Sequence, residues 1–351
     1  MDYSKRIYYL LLVVIIVLLL LYAQSLLIPF VLAILIWFVI RVFKGLLLRI
    51  PYIRKWPHWL LTTLSSVILL SFLGLIVTMI SSNIQQLSTS IPAYEKNINA
   101  VADKISTTFD IDLGESVTNA IRDFNFSNIF SSLFSAITSI FGNALLILVY
   151  LVFILLEETI FRRKLEVIYS SKESLERTTG ILQKIDNSIS NYIAIKSITS
   201  LSTGFLSFWV LYFIGVDAPF FWAFIIFILN YIPNIGSLVA TLFPTVFALL
   251  QFGELTHPML VLIIVGAIQL AIGSLIEPRI MGNTLNMSPL VVFLTLALWG
   301  TIWGVTGMLL SVPITVIIIL ILNEFPGTRG IAALLSRRGD PGSSKQTPIH
   351  R

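Results

Sequence analysis

Asn230-Tyr231-Ile232-Pro233-Asn234-Ile235-Gly236-Ser237 interrupts an otherwise apolar run that extends from 219 to 252. As one helix this run would measure about 51 Å at 1.5 Å per residue, against about 30 Å of hydrocarbon in a bilayer. Two backbone breakers, Pro233 and Gly236, stand near its middle among four side chains able to hydrogen-bond. A helix that long must tilt strongly, whereas a broken one can fold back as a hairpin. A second run, 289–322, has the same length, with Gly300, Gly304, Gly307 and Pro313 as candidate hinges. Either outcome leaves the chain ends on the same sides, so charge counting leaves both open. The order of a span and then a broken run occurs twice, in 192–252 and in 258–322. With hairpins the two copies would enter a membrane from opposite sides, as in inverted-repeat transporters.

The composition is that of an all-α polytopic membrane protein. Of 351 residues 56% are hydrophobic and 12% charged, where a soluble domain carries about 25% charged residues. Further apolar runs lie at 7–23, 26–43, 59–80, 140–156, 192–214 and 258–276, which with the two broken ones makes about eight. The first is read as an uncleaved span, being longer than a signal-peptide core and followed by no small-residue cleavage site. Lys and Arg set the orientation. Segment 41–58 has Arg41, Lys44, Arg49, Arg54 and Lys55 without an acid, whereas 82–139 has six acids against three bases. Segment 159–190 is basic again, as is the tail. Both termini are therefore expected in the cytoplasm, with 82–139 outside. The net charge of +5 reflects this asymmetry and no nucleic-acid footprint, and the absence of cysteine excludes disulfides and thiol chemistry.

Two polar segments show helical periodicity. In 82–139, Ile84, Leu87, Ile91, Ile98, Val101, Ile105 and Phe109 form a stripe that needs a partner, either lipid or a neighbouring subunit. In 165–189, Leu165, Ile168, Leu175, Leu182, Ile185 and Ile189 do the same beside basic residues, which predicts a helix on the inner leaflet. The expected divisions are 1–81 (three spans), 82–139 (outer amphipathic segment), 140–190 (a span and the inner helix), 191–325 (core) and 326–351 (cytoplasmic tail). Residues 337–351 have a disordered composition.

Glu277-Pro278-Arg279-Ile280-Met281-Gly282 places a carboxylate and a guanidinium two residues apart between apolar runs. Pro278 and Gly282 are expected to break the helix through the pair. Ionisable groups at such a break are either a functional site or interface anchors in a water-exposed loop. Glu277 is then a titratable coupling group or a partner of Arg279, which could also hold an anionic or polyhydroxylated solute. Asn230, Pro233, Asn234, Gly236 and Ser237 are candidate solute or ion contacts, because half-helix ends present bare carbonyls and amides. Gln269 is read chiefly as an interhelical hydrogen bond. Lys196 is read as snorkelling to the interface, and Trp299 and Trp303 as interface anchors or stacking groups. Glu157 and Glu158 are read as a solvated cluster with Arg162 and Arg163.

No metalloprotease, serine-hydrolase or P-loop signature occurs, and the three histidines are widely separated. The expectation is a protein that is not an enzyme, with neither cofactor nor metal. A transporter, an oligomeric channel and a membrane scaffold are the functional classes left.

The Asn230–Gly236 stretch, Glu277–Gly282, Ser288-Pro289-Leu290, Trp303–Gly307 and Val312-Pro313 resemble in order and spacing the autoinducer-2 exporter family of bacterial membrane permeases. One family pattern has Pro-Tyr-Ile-Gly where this chain has Pro233-Asn-Ile-Gly236. The resemblance implies a secondary transporter of the bacterial inner membrane, multi-pass and homo-oligomeric. It implies a small polar solute, as for an exporter of autoinducer-2, or an antiporter's exchange of sodium for protons.

Overall fold

The computed structural model describes residues 3–52, 55–109, 142–169, 171–282 and 286–337. Eleven α-helices and one π-helical segment are defined among them: α1 (Tyr3–Tyr22), α2 (Gln24–Leu47), α3 (His58–Phe109), α4 (Ala144–Ile168), α5 (Lys172–Ile214), α6 (Pro219–Leu229), α7 (Ile235–Phe252), α8 (Thr256–Gln269), the π segment Leu270–Ile276, α9 (Glu277–Met281), α10 (Pro289–Glu324) and α11 (Arg329–Leu335). No strand occurs among the described residues, apart from one isolated bridge between Met287 and Ser336. Among the described residues seven helical stretches are long and apolar enough to cross a membrane, and α6 is a shorter apolar helix. The protein is an all-α, multi-span membrane protein.

The described part of the first amphipathic segment extends a span, since α3 carries the third span on through Phe109. The second is split: Leu165 and Ile168 close α4, Tyr169 is extended, and α5 carries 172–189 into the apolar run 192–214. No proline or glycine pair stops either helix where its composition changes, so the backbone bonding continues across the boundary. The side chains of Ile84, Ile91, Ile98, Val101, Ile105 and Phe109 lie outside the described residues, as do 110–141 and the tail from 338.

The chain divides into two packed units, one of Met1–Ser65, Asn143–Ala194 and Asn283–Arg351, the other of Ser66–Gly142 and Ile195–Gly282. In the second unit the run 219–252 folds back on itself. Gln251, at the end of α7, accepts from the Asp217 amide through Oε1 and donates to the Gly215 carbonyl through Nε2, both at 2.8 Å. Further in, the rings of Trp222 and Phe247 meet at 4.9 Å. These contacts at the base and flank place the turn at 230–234. The hairpin, α8 and one face of α3 share a core in which Phe221, Ile226, Ala240, Phe247, Ala248, Val261 and Leu87 are buried. Leu87, a member of the outer stripe, is thus covered by its own chain. Asn97 sits ten residues on and donates to the Leu250 and Gln251 carbonyls at 2.8 and 2.9 Å. The C-terminal half of α3 therefore clasps the hairpin's base.

In the first unit α10 also folds back. Trp303 and Gly304 leave helical geometry, Gly304 with φ 60°. A Cβ built on Gly307 would lie 1.9 Å from the Trp299 carbonyl oxygen, two positions that a straight helix holds about 12 Å apart at 1.5 Å per residue. The Ser288 amide before α10 bonds the Leu335 carbonyl beyond its end at 3.2 Å. Trp299 and Trp303 are buried and pack on each other at 5.4 Å, and Trp303 Nε1 donates to the Leu20 carbonyl of α1 at 3.0 Å. They are core residues of the turn and not interface anchors, because α1 and α2 supply Leu20, Leu27, Ile28, Val31 and Leu35 around them.

The acidic pair at the end of the fourth span has the following partners among the described side chains. Glu158 accepts from Trp37 Nε1 at 2.7 Å and pairs with Arg41 at 3.6 Å, while Arg41 also pairs with Asp186. Glu157 pairs with Lys164 at 2.5 Å. Lys184 and Arg177 of the basic segment reach Glu324, through its carboxylate at 3.3 Å and its carbonyl at 3.0 Å.

Candidate functional site

The second unit holds Glu277, Arg279 and Lys196. Helix α8 passes into the π segment Leu270–Ile276, whose wider turn is closed by the Glu277 amide bonding the Ile272 carbonyl. The π segment leads without a gap into α9, so the helix runs through Glu277 and Arg279 instead of breaking there. Pro278 occupies the first turn of α9, where its missing N–H costs least. The irregularity is displaced upstream, since a π turn precedes the ring that would otherwise meet a carbonyl of the preceding turn. Gly282 then ends the helix with φ 53°.

Glu277 pairs with Lys196 of α5, not with Arg279. Lys196 Nζ lies 2.5 Å from Glu277 Oε1, with side chains 8% and 17% exposed. Thr199 Oγ1 donates to the other carboxylate oxygen at 3.3 Å. Arg279 is exposed. The reason is angular: residues two apart on a helix point about 200° away from each other, so the helical path through α9 carries Arg279 to the opposite side. Lys196 is itself 6% exposed and does not snorkel.

The next residue of α5 holds the other break. Ser197 Oγ and Tyr231 Oη are 2.7 Å apart, so the hairpin turn and α9 are tied to one turn of α5. Within the hairpin turn, Asn234 has φ 59° and Ser237 bonds its carbonyl at 3.0 Å. The Ile235 amide bonds the Pro233 carbonyl at 2.6 Å. A Cβ on Gly236 would stand 1.8 Å from the Leu229 carbonyl oxygen, so only glycine fits there. Further along α5, Gly204 lies against α6, its Cβ position 3.0 Å from the Ala223 carbonyl oxygen.

Four buried polar atoms in this unit have no hydrogen-bond partner among the described residues: Ser200 Oγ, Ser207 Oγ, Asn230 Oδ1 and Gln269 Nε2. Buried polar groups are rarely left so without water or a ligand to meet them. Gln269, expected to bridge helices, leaves its amide donor unused. The hinge residues Gly300, Gly304, Gly307 and Pro313 belong to the first unit and its own hairpin. No grouping of metal-ligating side chains occurs among the described residues.

Ser197 and Thr199 are the residues that sequence reasoning missed, and Lys196 is the one it misread. A signal for them exists, because Lys196, Thr199, Ser200, Thr203 and Ser207 recur at helical spacing in a span and are all buried. Polar residues repeated on one face of a span face protein or water and not lipid.

The model of the AI-2E family transporter matches residues 10–327. The AI-2 transport protein TqsA of Escherichia coli is 31% identical over 325 residues, covering 90% of this chain and 90% of that protein. A protein of Haemophilus influenzae is 31% identical over 320 residues, 89% of this chain and 90% of its own length. The protein YhhT of Escherichia coli is 38% identical over 157 residues, 45% of this chain and 44% of that protein.

Proposed function

The chain belongs to the AI-2E transporter family, and from that premise we propose that it is a secondary-active exporter of a small polar solute, with Glu277 as its coupling group. The observation that carries this reading is the buried Lys196–Glu277 pair, where a π segment meets α9 in an apolar helix. Ionisable residues within spans are costly and cluster on ion and solute pathways. A proton on Glu277 cancels the carboxylate and strands the Lys196 ammonium in a poorly hydrated place. That state is relieved when water or a solute acceptor reaches Lys196, so protonation and opening favour each other. Ser200, Asn230 and Gln269 offer hydroxyl, carbonyl and amide groups to a polar solute within the segment 191–325.

The placement that fits is the bacterial inner membrane, with both termini in the cytoplasm and a homo-oligomeric assembly. Autoinducer-2 is the first solute to test, since a relative covering 90% of the chain is an AI-2 transport protein. The experiment is uptake and counterflow of autoinducer-2 in proteoliposomes under imposed proton and sodium gradients. Saturable accumulation that follows one gradient, with counterflow, is expected. Flux that neither saturates nor shows counterflow overturns the carrier in favour of a channel.

A further inference from the structure

The hairpins of the two units are alike in their turns and unlike in their tethers. The turn at Trp303–Gly304 is embedded in apolar side chains of α1 and α2, and its tryptophan bonds a main-chain carbonyl. The turn at 230–234 instead bonds α5 through two side-chain hydroxyls, Ser197 and Tyr231, while Asn230 beside it keeps an unsatisfied carbonyl oxygen. Its base, by contrast, is held by Gln251 and Asn97 through four bonds to main-chain groups. Among the described residues the tip is tied to α5 by one side-chain hydrogen bond and the base by four, so local opening breaks fewest hydrogen bonds at the tip.

We propose that Tyr231 is a positioning residue for transport, a latch that holds the tip of the α6–α7 hairpin against α5 and reports to it whether Lys196 and Glu277 are paired. It rests on the reading of Glu277 as the coupling group. Consecutive residues of a helix turn together, about 100° apart. Lys196 and Ser197 are consecutive, so any rotation of that turn of α5 that separates Lys196 from Glu277 also displaces Ser197 from Tyr231. Protonation of Glu277 would thus release the tip.

Amide hydrogen exchange of peptides covering 230–237, read by mass spectrometry on the full chain in detergent, tests this without any transported solute. The amides of Tyr231, Ile232, Ile235 and Gly236 are bonded within the turn and report its opening. Tyr231→Phe and Ser197→Ala should each raise the exchange rate at least threefold, their combination no further, and Ser197→Thr, which keeps the hydroxyl, should leave it unchanged. Glu277→Gln should raise the rate in the parent and add nothing in the Tyr231→Phe background, because coupled changes are non-additive. Exchange unaltered by Tyr231→Phe or by Ser197→Ala overturns the latch, as does a Ser197→Thr effect equal to that of Ser197→Ala. An additive Glu277→Gln effect overturns the coupling. If Glu277→Gln does not fold, the Ser197 and Tyr231 series still decides. A latch lost while Glu277→Gln still abolishes gradient-driven flux leaves the transport reading standing, and the converse result removes that reading alone.

Discussion

Lys196 Nζ stands 2.5 Å from Glu277 Oε1, across 81 residues of sequence, while Arg279, two residues away from the same carboxylate, is exposed. The pairing changes which double substitution should rescue which single one. Glu277→Gln leaves the buried Lys196 ammonium without its counter-charge, at a cost of roughly 3–5 kcal/mol. A lowered melting temperature in detergent is therefore expected. Adding Lys196→Gln should recover most of it, and adding Arg279→Gln should not. Rescue by Arg279→Gln alone would refute the pairing.

Arg279→Ala taken singly should melt within about 0.5 kcal/mol of the parent, the usual effect of an exposed substitution away from a buried network. If transport then falls while stability holds, Arg279 touches solute. Flux and melting measured on one preparation separate these outcomes.

Glu277→Gln has a second consequence if this group couples transport to protons. An amide keeps the shape and one acceptor but takes up no proton. Gradient-driven accumulation in proteoliposomes should vanish while exchange of solute across the membrane persists. Normal accumulation by the variant would exclude Glu277 as the coupling group.

The two turns make a steric prediction. Gly236→Ala and Gly307→Ala would each drive a Cβ to within 2 Å of a carbonyl oxygen, 1.8 Å in one case and 1.9 Å in the other. Each should cost about 3 kcal/mol and open its hairpin. Gly74→Ala in α3 meets no atom within 4 Å and should stabilise by ~0.5–1 kcal/mol, since glycine in a helix interior is unfavourable. Thermal melting of the three variants checks the sign of each.

Orientation can be read by cysteine labelling in this cysteine-free chain. Thr256 and Glu173 are exposed. From the charge distribution, Thr256→Cys should react with an impermeant maleimide from outside whole cells, and Glu173→Cys only after lysis. The reverse pattern would invert the whole topology.

The membrane class, the approximate spans and the two stretches where a turn-back was an option were legible in the residues themselves. A run of 34 apolar residues with breakers at its centre is too long to cross upright, and the breakers mark the candidate breaks at Pro233–Gly236 and Gly300–Gly307. That no side chain fits at Gly236 came only from the folded turn. What the residues alone left open was folding back against tilt, and which group meets Glu277. Local chemistry favours the near neighbour Arg279, yet a helix sends residues two apart to opposite sides, and Pro278 turned out to be absorbed in a first turn behind a π segment. The partner came from α5, through packing that no spacing rule encodes. In the same way, the outer stripe needs an apolar partner by its period, but only the tertiary structure showed that Leu87 finds it on the hairpin of its own chain. Periodicity and breakers act within a few residues of chain; the pairing of buried charges is settled by which helices lie side by side.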